Sequence, residues 1–168
     1  MRQSRAMASQ RKPVIVRKFS RDWVAAYAPP LLPAAAELEL LDQSGKVLHL
    51  PWGGVKWVCY VRDFPASPAD QANPERLLHK RFTVRPRTKG IWLRMTLQDG
   101  DELEGLAAND RTLIEGAGLY LTPPDMRSNT QKIFVPRLAI QALQVVSLIG
   151  ATKHRPGLGP QPELFPPE

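Results

Sequence analysis

Residues 92–106 read Trp-Leu-Arg-Met-Thr-Leu-Gln-Asp-Gly-Asp-Glu-Leu-Glu-Gly-Leu, and their pattern predicts a β-hairpin. Apolar and polar side chains alternate over 92–97 and again over 102–106, which is typical of strands with one buried face. The Asp99-Gly100 dipeptide stands between the two runs and favours a two-residue hairpin turn. The stretch therefore indicates a fold built from short antiparallel strands.

Runs of the same kind lie on both sides of this hairpin, separated by residues that favour turns. We predict strands at 14–19, 37–41, 46–50, 55–61, 119–122, 132–135 and 140–149. The sequence therefore predicts a mainly β protein.

The two halves of the chain resemble each other. Three residues separate Pro51 from strand 55–61, three also separate Pro136 from strand 140–149, and 14–27 aligns with 92–106. Two unrelated β-meanders would also look alike, but an internal duplication is the simpler interpretation. It predicts two tandem small Sm-like or SH3-like β-barrels, because closure removes exposed strand edges. The residues at equivalent inward positions are expected to be buried: Val55, Val58, Ile140 and Leu143.

Composition divides the chain further. We predict a disordered basic arm at 1–12, a first barrel at 13–63, a proline-rich linker at 64–80 with a short helical turn at 74–80, a second barrel at 81–153 and a disordered tail at 154–168. Cys59 is the one cysteine, so no intrachain disulfide is possible. The N-terminus lacks a signal-like apolar run, and 138–149 is too short and polar to span a bilayer, so we expect a cytoplasmic protein without membrane contact.

Three segments of the second half resemble the Sm-like fold, which includes the Sm proteins and Hfq. They are the hairpin with Leu103-Glu104-Gly105 followed by Asp110, the strand Ile133-Phe134-Val135, and the strand 140–146 after the turn 136–139. The resemblance implies an RNA site to which Arg137 contributes, although the turn lacks an aromatic residue. Segments 45–51 and 55–64 resemble a domain of uncharacterised bacterial proteins, some of them linked to PilZ domains. The whole-chain resemblance to an uncharacterised bacterial family spans about 13–152.

Arg81 and Arg85 have the spacing of the Arg-x-x-x-Arg motif with which PilZ domains grip cyclic-di-GMP. The second PilZ motif is not completed by 109–112. We therefore expect no specific binding of cyclic-di-GMP.

Residues that carry catalysis or hold metals do not form a recognisable pattern. His49, His79, His154 and Cys59 have no metal-ligand spacing. The carboxylates at 99, 101, 102 and 104 fall at a hairpin turn and are interpreted as a solvated loop. No phosphate loop or nucleophile motif is present. We therefore predict a non-catalytic protein with no metal and no cofactor.

Charge suggests what the protein binds. The net charge is +7, and six Lys or Arg side chains fall within 75–89. The leading hypothesis is weak binding of single-stranded RNA, DNA or another anionic ligand, with Trp52 exposed for base stacking. The predicted binding residues are Arg81, Arg85, Arg87, Lys89 and Arg137. The alternative is a protein-interaction or regulatory adaptor of PilZ-like type, whose exposed strand edges meet a partner.

Overall fold

The computed structural model describes residues 10–64, 80–125 and 127–150. These residues form ten strands: Lys12–Lys18 (β1), Trp23–Ala28 (β2), Glu37–Leu41 (β3), Val47–Pro51 (β4), Val55–Val61 (β5), Gly90–Leu97 (β6), Glu102–Ala107 (β7), Gly118–Leu121 (β8), Thr130–Pro136 (β9) and Ile140–Ile149 (β10). Three short 3-10 turns lie between them, at Trp52–Gly54, Arg111–Leu113 and Arg137–Ala139. None of the helical segments in the described ranges has the length and apolar character needed to cross a membrane. The prediction of a mainly β protein is confirmed.

Every strand pair is antiparallel. One sheet has seven strands in the order β4-β3-β2-β1-β5-β9-β8, and the other has three in the order β10-β6-β7. A single bridge between Leu106 and Thr122 connects the two sheets beside β7 and β8. Consecutive strands are therefore mostly neighbours, as expected for short connections.

The predicted hairpin at 92–106 forms, but its loop has three residues. The backbone N–H of Leu97 donates to Asp101 O at 2.8 Å, and Gly100 adopts a φ of 87°. A left-handed glycine at the end of a three-residue loop is a common hairpin closure. The longer loop sets the strand register, so that Arg94 lies opposite Glu104.

Strand β5 lies between two hydrophobic cores. All seven of its residues are buried. Val58 and Tyr60 face a first core formed with β1, β2 and β3, whereas Trp57 and Cys59 face a second core formed with β6 to β9. A strand that is apolar apart from one residue, Lys56, and is covered on both faces is the arrangement expected for the centre of a sheet.

The two predicted barrels do not form as separate closed units in the described residues. Strand β5 of the first half pairs with β1 on one side and with β9 of the second half on the other. The pairs Val58–Phe134 and Cys59–Ile133 join the halves into one sheet. Two open sheets replace the closed barrels, because β5 uses both of its edges.

The halves nevertheless follow one order of pairing. In each half two hairpins are joined by a single residue pair, Tyr27–Leu41 in the first and Leu106–Thr122 in the second. A 3-10 turn then follows Pro51 or Pro136, and the last strand returns to pair with the first: β5 with β1, and β10 with β6.

Burial of the closing strands differs between the halves. Val55 and Val58 are buried, as predicted, and Ile140 packs partly against the second core. Leu143 is 49% exposed, so the prediction that it is buried is wrong. Among the described residues, its strand has only β6 as a neighbour, whereas β5 has strands on both sides.

The acidic turn at 99–101 is not a solvated loop. Lys56 of β5 is buried, and its Nζ binds Asp99 Oδ2 at 2.5 Å and also Asp101 Oδ2. This ion pair fastens the β6–β7 turn to the first half. It also lets a lysine stand inside an otherwise apolar strand, because a buried charge needs a partner.

Several predicted segments lie wholly or partly outside the described residues. The arm at 1–12 is described only from Gln10, and Lys12 already belongs to β1. The helical turn at 74–80 is described only at Lys80, and most of the linker, His79, His154 and the tail at 154–168 fall outside.

Candidate functional site

The five predicted binding cations do not form one strip. Lys89 precedes Gly90, which lies opposite Ile149, whereas Arg137 precedes Ile140, which lies opposite Leu97. These positions are the two ends of β6, about 23 Å apart at ~3.3 Å per residue. Arg137 is therefore separated from Lys89, and Arg81 also lies away from Lys89, because it binds Glu102 opposite Thr96.

Arg81 neutralises carboxylates of the protein itself. Its Nη2 donates to Glu102 Oε2 at 3.0 Å, and its Nε lies 3.8 Å from Glu104 Oε2. Glu104 is fully buried and also accepts two hydrogen bonds from Arg94 at 3.1 Å and one from the backbone N–H of Phe82 at 3.0 Å. The charge of Arg81 thus supports a buried carboxylate rather than an incoming anion.

Two further arginines hold backbone carbonyls. Arg85 Nη2 donates to Leu148 O at 3.0 Å. Arg137 donates to Leu113 O at 2.8 Å and, at 3.3 Å, to Gly116 O and Glu115 O, which fixes the loop before β8. Both guanidinium groups therefore bind backbone atoms of the protein itself.

Arg87 and Lys89 are exposed and make no side-chain hydrogen bond or ion pair to another described residue. A Cβ built on Gly150, just after β10, would lie 3.2 Å from Lys89 Cβ. With Arg85 bound to Leu148 O, these residues form a basic group beside the C-terminal end of β10. We call Arg85, Arg87 and Lys89 the basic group.

Trp52 is not exposed, so its predicted role in base stacking is wrong. The residue is only 7% accessible, and its Nε1 donates to Ala35 O at 2.9 Å. Its ring packs beside Phe134, with 5.5 Å between ring centroids. The connection between β2 and β3 covers the indole and accepts the hydrogen bond from its Nε1.

The structure shows an apolar surface that the sequence pattern did not reveal. Leu143, Val145 and Leu148 of β10 lie opposite Met95, Leu93 and Ile91 of β6. Directly opposed residues point to the same face of a sheet, and Met95 and Leu93 point into the second core. The three β10 side chains therefore lie on the core face, yet they are 49%, 56% and 51% exposed. We call them the apolar stripe.

Side chains bind backbone carbonyls near both ends of β10. Near the start of β10, Gln98 Nε2 donates to Ile140 O at 3.3 Å, and near the end Arg85 donates to Leu148 O. Within the described residues no strand lies along the outer edge of β10. Register shifts at 140/142 and 145/147 leave 142–145 as the regular central part.

A second surface feature is a cleft of about 450 Å³ beside β3 and β4. Arg11 Nη2 donates to Glu39 at 3.1 Å, and His49 Nδ1 lies 3.9 Å from Glu37, while Pro29 and Pro33 contribute to the apolar wall. Its charged side chains are thus mostly paired within the cleft.

Two features of the described ranges bear on metal binding and on cysteine reactivity. They hold no group of three or more His, Cys, Asp or Glu side chains arranged for a metal ion. Cys59 is buried, and burial raises the pKa of its thiol to about 12, so the sulfur is protonated at neutral pH. A protonated, buried thiol is a poor nucleophile.

Comparison with known proteins gives a family without a described activity. Residues 10–147 match the model of a family described as "Family of unknown function", DUF6982. No curated protein matches the chain significantly. No solved structure matches it significantly either.

Proposed function

The chain belongs to this family, DUF6982, and we propose that it is a non-catalytic protein-interaction module that binds an extended segment of a partner protein along β10. The observation that carries the proposal is the half-exposed apolar stripe on the core face of an edge strand. A strand added beside β10 satisfies main-chain hydrogen bonds, and its alternate side chains cover the stripe.

The composition of β10 supports this role. Residues 140–149 read Ile-Gln-Ala-Leu-Gln-Val-Val-Ser-Leu-Ile and contain neither a charged residue nor a proline. Edge strands are commonly protected by charges, by proline or by short length. β4, the edge strand at one end of the seven-stranded sheet, has five residues and ends at Pro51. β10 is twice as long, and its two register shifts confine regular pairing to 142–145.

The test uses the full chain and a fluorescein-labelled ten-residue peptide with alternating valine and threonine. Fluorescence anisotropy should show micromolar binding. Val145→Lys places a charge in the stripe and should weaken binding at least tenfold. Ala142→Lys is the matched control, because Ala142 lies opposite Thr96 on the other face of the same strand, and it should change the affinity less than threefold.

Other occupants of the edge give different results. A wild-type dimer in sedimentation velocity that Val145→Lys dissociates would identify a second copy as the occupant and overturn the proposal. Peptide binding that appears only after removal of 151–168 would assign the edge to the protein's own C-terminal segment. Equal binding by wild type and Val145→Lys would show that the stripe is not the docking surface.

A second candidate function is weak binding of single-stranded nucleic acid, favoured by the exposed side chains of Arg87 and Lys89. It has less support than strand addition, because Arg81 and Arg137 are bound to groups of the protein itself. The salt dependence discussed below distinguishes the two.

We also propose that the chain arose by duplication of a five-strand unit. The shared order of pairing and the 3-10 turns after Pro51 and Pro136 support this origin. Within the described ranges, the second unit then differs from the first in having no strand on the outer side of its closing strand, and that difference creates the docking edge.

A further inference from the structure

We infer that the segment bound at β10 runs antiparallel to it and carries acidic residues on the N-terminal side of its apolar stretch. This inference rests on the proposed function. It names the partner's chemistry and direction from the charges at the two ends of the edge.

The C-terminal end of the edge is basic. Arg85 reaches the strand itself through Leu148 O, and Lys89 lies beside Gly150. Arg87 stands between them in sequence and is exposed. Three positive charges thus lie at one end of β10, and no described carboxylate pairs with Arg87 or Lys89.

The N-terminal end of the edge has the opposite character. Gln98, which donates to Ile140 O, precedes the turn that holds Asp99 and Asp101. Lys56 binds both carboxylates, which leaves one net negative charge, and their side chains are 35% and 42% exposed. Arg137 also lies near this end, but its guanidinium donates to three backbone carbonyls.

The strand between these ends is uncharged, so electrostatic selection of a partner falls to the flanks. An antiparallel segment places its N-terminal flank beside the basic group and its C-terminal flank beside the acidic turn. Acidic residues on the N-terminal flank then meet the basic group, and charge complementarity of this kind selects partner and direction. Antiparallel pairing is also the slightly more stable arrangement per residue.

The experiment compares three labelled peptides that share one alternating Val-Thr core. The first carries Asp-Glu-Asp before the core, the second carries the same residues after it, and the third carries Ser-Gln-Ser before it. At 50 mM salt the first should bind the full-length protein about three- to tenfold more tightly than the other two, as expected for a few exposed ion pairs. The preference should vanish at 500 mM salt, where exposed charges are screened.

The double variant Arg87→Gln/Lys89→Gln should abolish the preference and leave binding of the neutral peptide unchanged. The control Lys46→Gln/Arg111→Gln removes the same charge from exposed sites away from β10 and should keep the preference. Equal affinity for all three peptides would overturn the inference and leave strand addition standing. Tighter binding of the second peptide would show the opposite direction. If none of the peptides binds either the wild-type protein or Val145→Lys, the proposed function itself is refuted.

Discussion

Lys56 Nζ of β5 lies 2.5 Å from Asp99 Oδ2 in the turn between β6 and β7. The lysine side chain is only 7% exposed, and the contact joins residues that are 43 positions apart. With Asp101 as its second partner, this ammonium group links the first half of the chain to the hairpin of the second.

Asp99→Asn combined with Asp101→Asn should lower the free energy of unfolding by about 2 kcal/mol in urea denaturation. The double variant leaves a buried ammonium without a counter-charge, and the loss stays below that of a fully buried pair because both aspartates are partly exposed. Adding Lys56→Met to the double variant should restore most of the lost free energy of unfolding, since the buried charge is then removed. Unchanged stability of the double variant would contradict this role of the pair.

The contribution of Asp99 should depend on pH. Burial raises the pKa of Asp99, but hydrogen bonds from Lys56 and from the backbone N–H of Asp101, with the charge of Lys56, outweigh burial and bring the pKa below its ordinary value of 3.8. A lowered folded-state pKa stabilises the fold above the unfolded pKa, and this stabilisation is lost as the pH falls through the folded one. The stability difference between wild type and Asp99→Asn should hold from about pH 7 to pH 5 and shrink below about pH 4. A difference that grows on acidification would refute this assignment.

Leu143→Ala should cost under about 1 kcal/mol, although Met95→Ala at the opposite position should cost about 2–5 kcal/mol. Met95 is 1% exposed and Leu143 is 49% exposed, so only the first truncation leaves a cavity. Chemical denaturation of the two variants under identical conditions measures the contrast. Equal losses would mean that another element covers Leu143 in solution.

Gly118→Ala should destabilise the protein by about 1–3 kcal/mol through overpacking. A Cβ at this position would lie 2.2 Å from Val135 O and 2.7 Å from Phe134 Cζ, where β8 and β9 pack closely. Gly53→Ala is the matched control, because its Cβ would meet nothing within 4 Å. Thermal unfolding should separate the two variants, and a harmless Gly118→Ala would contradict the close approach.

Any binding of single-stranded RNA should depend only weakly on salt. With Arg87 and Lys89 as the contacting cations, the log–log slope should be about −1.4, from about 0.7 per contacted phosphate. A titration series in potassium chloride gives the slope, and Arg87→Gln/Lys89→Gln should abolish binding. A slope steeper than about −2 would mean that Arg81 or Arg85 also contacts phosphate. Nucleic-acid binding would then be favoured over strand addition as the function.

Most strand positions could be predicted because alternation of apolar side chains is a local signal, but β2 was not among the predicted strands. The predicted strand 55–61 coincides with β5, and 140–149 coincides with β10. The pairing of β5 with β9 could not be read from alternation, which specifies a face and not a neighbour. The continuous apolar run at 57–61 of β5 did carry a signal, since a strand buried on both faces needs cover on both.

The candidate site was harder to predict, because partners decide what a charged residue is free to do. Arg81 and Arg85 looked available in a basic run, but folding brings Glu102 and Leu148 O to them. A two-residue turn would place Gly105 opposite Arg94, whereas the three-residue loop brings Glu104 there. The ion pair between Arg94 and the buried Glu104 could therefore be predicted only from a loop of three residues, and not from a loop of two.

The exposure of the apolar stripe was missed for a related reason. We inferred that Leu143 is buried because it occupies the position in β10 that Val58 occupies in β5. The two strands do correspond in their pairing, since β5 pairs with β1 and β10 pairs with β6. Val58 is buried because β9 arrives from elsewhere in the chain to cover its strand. A similar sequence pattern in the two halves does not specify which half receives that neighbour.

The position of β5 between two cores also determines how the chain comes apart. Trp57 and Cys59 belong to one core, and Val58 and Tyr60 belong to the other. Unfolding of either half would therefore expose the face of β5 that this half covers. Cutting the chain in the segment between β5 and β6 would leave β5 with bare apolar surface in one fragment and remove a wall of the core in the other. We therefore expect the two halves of the chain to unfold together as one cooperative unit.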